Sequence, residues 1–400
     1  MMKILMLADV FFPDTIGGAG RVAYHLSDEL SGKGHEVHII TRNVNGTLQS
    51  HQKLKDDLFV HRFSTPGSKS PIFLVSEIIK SYLLTKILTQ EIRFDLVCIH
   101  QSLVAIGPLL SCSLRRTPIV YYFHSPWHEE FMVKKRKGDE KRGIGVEAIA
   151  FLMRWIEKRI LSRAARVIVL SRYMCCKVKG IHRFPEKKIR TIPGGVDPNR
   201  FILPRGGKAA AKGACGLSPD KTIFLTVRNL VPRMGLETLI EAFGGSETLR
   251  EKGLLLIGGR GFLSKRLKSL VENYSLQDSI RLLGHIPDED LPAVYQASDF
   301  FVLPTGKLEG FGLVILEAMA CGTPVLGTPI GAIPEVIGLF DKKLLFDGTG
   351  QRDMRRKMEE IIETPERYNF DPGTCRRFVE ENFSWETVAD IFEKTVISMD

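Results

Sequence analysis

Nowhere do apolar residues run on for the roughly twenty positions needed to cross a bilayer. The opening Met1-Met2-Lys3-Ile4-Leu5-Met6-Leu7-Ala8-Asp9 is broken by Asp9 before a signal peptide could form, and it reads as a buried first strand. Cysteine is sparse and unpatterned. The seven residues Cys98, Cys112, Cys175, Cys176, Cys215, Cys321 and Cys375 are odd in number and include no CxxC pair of the metal-binding kind, which suggests a reducing compartment and hence the cytoplasm. Acidic clusters are few, and low-complexity tracts and internal repeats beyond a βα rhythm are missing. What is present, 44% hydrophobic and 26% charged residues, excludes a largely disordered or fibrous chain.

A chain of 400 residues exceeds what one hydrophobic core usually serves, so two domains are expected. The formal charge of +10 favours anionic partners without choosing among nucleotide phosphates, an anionic membrane face and nucleic acid. Its distribution says more. Lys134, Lys135, Arg136, Lys137, Lys141 and Arg142 crowd one stretch against only Asp139 and Glu140, which marks a surface for a membrane or an acidic acceptor.

Short apolar runs alternate with longer amphipathic ones, the pattern of βα units with parallel sheets covered on both faces. The first half predicts strands at Lys3 to Ala8, Glu36 to Thr41, Asp57 to Phe63, Asp95 to His100, Pro118 to Phe123 and Arg166 to Leu170. A second series at Thr222 to Val227, Gly253 to Ile257, Ser279 to Leu283, Asp299 to Leu303 and Pro324 to Gly327 reads as another Rossmann-type domain. Between them, the prolines and glycines of Ile192 to Phe201 mark a hinge, and Pro204 to Gly216 reads as an exposed connector. Helices are expected at Gln351 to Thr364 and Pro372 to Asn382, with Ser384 capping a terminal one. The fold class is therefore α/β, with two Rossmann-like parallel-sheet domains. Residues 1–193 form the first, 194–382 the second, and 383–400 a C-terminal helix that could return to the first.

The stretch Leu303-Pro304-Thr305-Gly306-Lys307-Leu308-Glu309-Gly310-Phe311-Gly312 through Glu317 to Pro324 combines a strand end, a carboxylate-bearing loop, glycines opening a helix and a second carboxylate on that helix. Free N–H groups at a helix start attract phosphate, and small glycines let it approach. Open α/β sheets bind ligands at the carboxyl ends of their strands, which is where this constellation falls.

His124, in Tyr122-Phe123-His124-Ser125-Pro126-Trp127-His128, also follows a parallel strand and so points toward an expected cleft. His128 reads as surface. Pro126 opposes the helix that a His-x-x-x-His metal pair requires, and no HExxH order occurs, so no metal site is expected. In Gly17-Gly18-Ala19-Gly20-Arg21, the residues Gly18, Gly20 and Ala23 give only a relaxed GxGxxA spacing, in a loop lengthened by Phe11 to Ile16. The Glu147 to Arg166 stretch interleaves Ala148, Phe151, Leu152, Trp155, Ile156 and Ile160 with basic residues. It predicts a core-facing amphipathic helix with a solvated basic face, a membrane-surface role being the alternative.

The Glu309-Gly310-Phe311-Gly312 context, followed from Glu317 by Glu-Ala-Met-Ala-Cys-Gly-Thr-Pro-Val, resembles the donor motif of retaining glycosyltransferases of the GT-B fold, family 4. Further matches fall at Pro193 to Asp197, Leu256 to Gly261 and Gly331 to Glu335, so the resemblance covers nearly the whole chain. It implies a nucleotide-diphosphate sugar held by the second domain, a glycan or lipid-linked acceptor held mostly by the first, and transfer in the cleft between them. Glu317 would bind the ribose and Glu309 the transferred sugar, with the amides of Gly310, Phe311 and Gly312 facing the diphosphate. Gly18 and Gly259 would line the donor site, and His124 would touch the donor sugar.

Charge developing on the departing diphosphate calls for fixed positive groups. Arg228 is the first candidate, in a run where the family usually offers an Arg and then a Lys before Gly. Here Met234 stands at that Lys position, which leaves Arg233 or Arg228 to carry the load. The resemblance implies no cofactor, no divalent ion and no nucleic-acid partner, with peripheral contact at the inner membrane face open. A GT-B epimerase or phosphorylase and a catalytically silent nucleotide-sugar-binding subunit are the alternatives.

Overall fold

The computed structural model describes all residues except 13–16, 45, 47, 68–69, 135–143 and 398–400. It divides into two compact units, Met1–Gly194 with Trp385–Asp400, and Gly195–Ser384. Most of the basic run from Lys134 to Arg142 lies outside the described residues. Among those described, no helix is long and apolar enough to cross a membrane.

The first unit is built on eight strands: β1 Lys3–Leu7, β2 Glu36–Arg42, β3 His51–Lys55, β4 Leu58–Phe63, β5 Leu96–Ile99, β6 Ile119–Tyr122, β7 Arg166–Val169 and β8 Ile189–Thr191. They lie in the order β3-β4-β2-β1-β5-β6-β7-β8. All pairs are parallel except β3 with β4. β5, and β1 beyond its first residue Lys3, are apolar and buried because helices cover both faces of the sheet. β3 escapes a reading based on apolar runs because it is an edge strand: His51, Lys53 and Lys55 stand exposed along it.

The terminal helix Trp385–Phe392 belongs to this unit. Its Trp385 ring stacks on His25 of helix Gly18–Gly32 at 5.0 Å, and His35 meets Glu393 at 2.9 Å.

The second unit has five parallel strands, β9 Thr222–Val227, β10 Gly253–Gly258, β11 Ile280–Gly284, β12 Phe300–Leu303 and β13 Val325–Gly327, in the order β11-β10-β9-β12-β13. From β9 the chain fills one side of the sheet and then crosses to the other. The switch point therefore lies between β9 and β12, where the loops leaving the two carboxyl ends diverge and leave a crevice.

The segment expected to be an exposed connector instead contains helix Gly207–Ala214. Its alanines favour helix, and two lysines fasten it to the unit. Lys212 Nζ reaches Asp299 Oδ2 at 2.7 Å, and Lys208 Nζ donates to Thr323 Oγ1 at 3.1 Å.

Candidate functional site

At the switch point of the second unit the chain brings together residues 81 positions apart. Arg228, just past β9, donates from Nη2 to Glu309 Oε2 at 2.6 Å, and Thr305 Oγ1 lies 3.4 Å from the same oxygen. Both side chains are nearly buried, at 7% and 12% exposure. Arg228 Nη1 is buried without a protein partner. Buried donors are nearly always satisfied, so an unpaired guanidinium N–H at a strand's carboxyl end is a donor suited to an anionic oxygen.

Glycines fix this geometry by allowing backbones to touch. Gly259 has φ +132°, and a Cβ there would fall 1.8 Å from Arg228 O, so this glycine lets the loop after β10 press on the residue carrying the guanidinium. At Gly331 a Cβ would sit 2.3 Å from Glu309 O, which instead accepts Ala332 N–H at 3.0 Å. Arg233 clamps the same loop: its carbonyl accepts Gly306 N–H at 2.8 Å, and its Nη1 donates to Leu308 O at 2.6 Å. Arg233 thus braces the segment bearing Glu309. Met234 is 3% exposed, with Sδ 2.9 Å from Arg228 Nη2, so a neutral thioether packs against the guanidinium at the position where the family usually has lysine.

Gly312, at φ +88°, opens helix Leu313–Ala320, with no side chain capping its first N–H groups. Gly310 lies before it, while the Phe311 ring turns inward to meet Phe383 at 6.0 Å. Glu317, on the helix and 7% exposed, accepts a hydrogen bond from Tyr295 Oη at 3.0 Å. Sequence reasoning missed Tyr295 because nothing local ties it to a glutamate 22 residues away.

In the first unit, helix Gly18–Gly32 starts beyond β1 with Gly17 as an N-cap that offers no side chain. A Cβ at Gly18 would meet nothing within 4 Å, whereas one at Gly20 would lie 2.9 Å from Val10 O. Gly20 is therefore needed for packing, and Gly18 leaves open space. Residues 13–16 of the preceding loop are outside the described residues.

His124 follows β6, and its Nε2 lies 3.2 Å from Nδ1 of His100, which follows β5 and stacks on Tyr122 at 4.4 Å. Burial pushes the His124 pKa down to about 4, and burial followed by the neighbouring His124 holds His100 well below its usual value. His124 is thus a neutral hydrogen-bonding group, able to address a hydroxyl and unable to supply a cation. The signal for His100 was its place at a parallel strand's end.

A further polar cluster sits at the ends of β1 and β2, where Arg42 Nε lies 3.5 Å from Asp9 Oδ1 and 3.9 Å from Glu77 Oε2. Glu77 is wholly buried, and burial first, then the Asp9 charge, raise its pKa to about 8. Folding therefore holds a proton on Glu77 that the unfolded chain releases above about pH 4.5. This stabilisation is complete below the unfolded pKa and is lost as pH rises through about 8. Glu77→Gln should raise the thermal unfolding midpoint by a few degrees at pH 8.5 and little at pH 5; scans at both values check this, and equal shifts would refute it.

Helix Ile144–Arg163 corrects the sequence reading of its faces. Phe151, Leu152 and Trp155, expected in the core, are 72%, 52% and 47% exposed, while Glu157 is fully buried. Glu157 lies inward because it meets His182 Nε2 at 2.8 Å and Tyr121 Oη at 3.3 Å. Among the described residues, no group of three or more His, Cys, Asp or Glu is placed to hold a metal ion.

Comparison with known proteins gives a consistent result. A model described as Glycosyltransferase Family 4 matches residues 16–200, and one described as Glycosyl transferases group 1 matches residues 208–381. The D-inositol 3-phosphate glycosyltransferase of Segniliparus rotundus is 28% identical over 240 residues, 58% of this chain and 52% of that protein, so the chain matches about half the length of that relative. Among solved structures, sucrose-phosphate synthase from Thermosynechococcus elongatus aligns over 98% of both chains with a TM-score of 0.82 at 22% identity. Anabaena HepE, solved with UDP and glucose, aligns over 100% of both with a TM-score of 0.74 at 18% identity.

Proposed function

Since the chain belongs to the glycosyltransferases of group 1 and family 4 and has their GT-B fold, we propose that it is a hexosyltransferase that moves a sugar from a nucleotide-diphosphate donor to an acceptor hydroxyl with retention at the anomeric carbon. The observation that carries this reading is Arg228, paired with Glu309 on one nitrogen and unpaired on the other, at the switch point of the second unit. Its free N–H would take a phosphate oxygen, and the amides opening helix Leu313–Ala320 would take others. Glu309 would address the sugar hydroxyls, and Glu317, oriented by Tyr295, the ribose. The nucleotide in HepE supports a donor of this class.

In the proposed chemistry the acceptor oxygen forms its bond to the anomeric carbon as the bond from that carbon to the diphosphate breaks, on the same face. The departing phosphate oxygen takes the acceptor proton. Arg228 and the helix N-terminus act where its charge grows. His124 joins as a neutral partner for a sugar hydroxyl, and the scheme asks for no divalent ion. The acceptor is a glycan, a lipid-linked molecule or a small hydroxyl compound, reached at the cytoplasmic face of the membrane in the lipid-linked case.

The anomeric configuration of the product, read by NMR from a reaction with an anomerically defined donor, should match that of the donor; inversion would overturn the scheme. Assaying transfer, isomerisation and phosphorolysis side by side separates this reading from an epimerase or phosphorylase. Met234 favours a second reading, a nucleotide-sugar-binding subunit, because the site has one cation fewer than the family pattern supplies. That reading requires donor binding with no turnover in all three assays.

A further inference from the structure

Two helices of the first unit bury polar residues and expose apolar ones. Helix Phe73–Glu91 turns Glu77, Ser81 and Thr85 inward beside Leu84 and Leu88. Its outer stripe carries Val75, Ile79, Leu83 and Ile87, each between 48% and 57% exposed. Helix Ile144–Arg163 repeats the inversion, with Glu157 inside and Phe151, Leu152 and Trp155 outside.

Helix Ser102–Leu110 lies between the two and contacts both. Gly107 lets it approach Phe73–Glu91 so closely that a Cβ would fall 2.3 Å from Ile78 O, and Arg163 Nη1 reaches Leu109 O at 2.6 Å. All three helices follow crossovers that step the same way across the sheet, and right-handed connections put them on one face. Of 19 large apolar side chains exposed among the described residues, 11 belong to these helices or the residue preceding the first. A patch of this extent marks a surface that meets something.

Charge identifies the occupant. The exposed charged residues on these helices are Lys80, Lys86, Arg154, Lys158, Arg159 and Arg163 against Glu91 and Glu147, six minus two, a net +4. Arg159 lies over the Trp155 ring at 5.0 Å, so cation and apolar anchor share one spot. The run from Lys134 to Arg142 adds six cations against two acids in the sequence just before the second helix. Apolar side chains flanked by cations suit the headgroup boundary of an anionic bilayer. Two copies of this face would bring like charges together, which disfavours self-association.

We infer that the outer face formed by Phe73–Glu91, Ser102–Leu110 and Ile144–Arg163 docks on an anionic lipid surface, with Trp155 among the groups that enter it. This deepens the lipid-linked form of the acceptor proposal by naming the surface. No nucleotide sugar enters the test, so failure of the transfer scheme and failure of docking are separable.

The full chain is sedimented with vesicles of mixed phosphatidylglycerol and phosphatidylcholine, and with phosphatidylcholine alone. Binding is expected to the anionic vesicles and to weaken as salt rises. Lipids brominated in their acyl chains should quench tryptophan emission, and Trp155→Phe should remove most of that quenching. Ile79→Ser with Leu83→Ser should lower partitioning by about tenfold or more while leaving the far-UV spectrum unchanged. Absence of sedimentation with anionic vesicles would overturn the inference, as would quenching that survives in Trp155→Phe. A dimer in sedimentation equilibrium that Ile79→Ser disperses would also overturn it and assign the face to a second copy.

Discussion

Arg228→Ala should lower kcat on the order of 10²–10³-fold at saturating donor, the range for removing one preorganised donor aimed at developing negative charge. The effect is large because Met234 offers no second cation nearby, and because Nη1 has no protein partner to lose, so what disappears is contact with the ligand. Alanine also strips Glu309 of the cation 2.6 Å from its carboxylate, leaving a nearly buried charge unpaired and threatening the fold. Arg228→Lys separates the two effects. Lysine keeps the charge but cannot serve the carboxylate and a phosphate with a rigid fork, so it should keep the unfolding midpoint near wild type and still lose about tenfold in kcat. Steady-state kinetics beside thermal unfolding of both variants decide this. A well-folded Arg228→Ala protein with most of its turnover would remove Arg228 from the chemistry.

Glu309→Gln should cost about 10²-fold in kcat with a smaller change in donor KM, because its carboxylate is placed to meet the sugar as the transition state forms. The backbone at this position is held by Ala332 N–H and by the Arg233 clamp, so the shape-preserving glutamine should leave the loop in place. The contrast with Glu317→Gln is informative. Glu317 sits on the helix, where its carboxylate accepts a hydrogen bond from Tyr295 Oη, and its loss should raise donor KM while largely sparing kcat. The KM-against-kcat split between these glutamates tests the division of roles; identical profiles would contradict it.

The parallel strands of the two sheets were legible because strands covered on both faces must be apolar along their length, as β10 shows. Polar β3 and three-residue β8 lack that signature. The Ile144–Arg163 helix shows a different limit. Periodicity reveals which residues share a face, while the buried Glu157–His182 pair, joined through tertiary structure, decides which face turns inward. The same limit governed the site. Glu309, Gly312 and Glu317 stand in one local pattern and could be found together. The partner of Glu309 sits on another strand's end, and Tyr295 and Glu77 acquire meaning only through their neighbours in space.

The central claim is that the carboxyl ends of β9 and β12, with the helix that follows, grip a nucleoside diphosphate. Titration calorimetry of the full chain with UDP, GDP and ADP tests it most directly. At least one should bind, and that binding should weaken on the order of tenfold or more in both Arg228→Ala and Glu317→Gln. If none binds to the folded protein, or if binding is unchanged in both variants, the site has been placed wrongly.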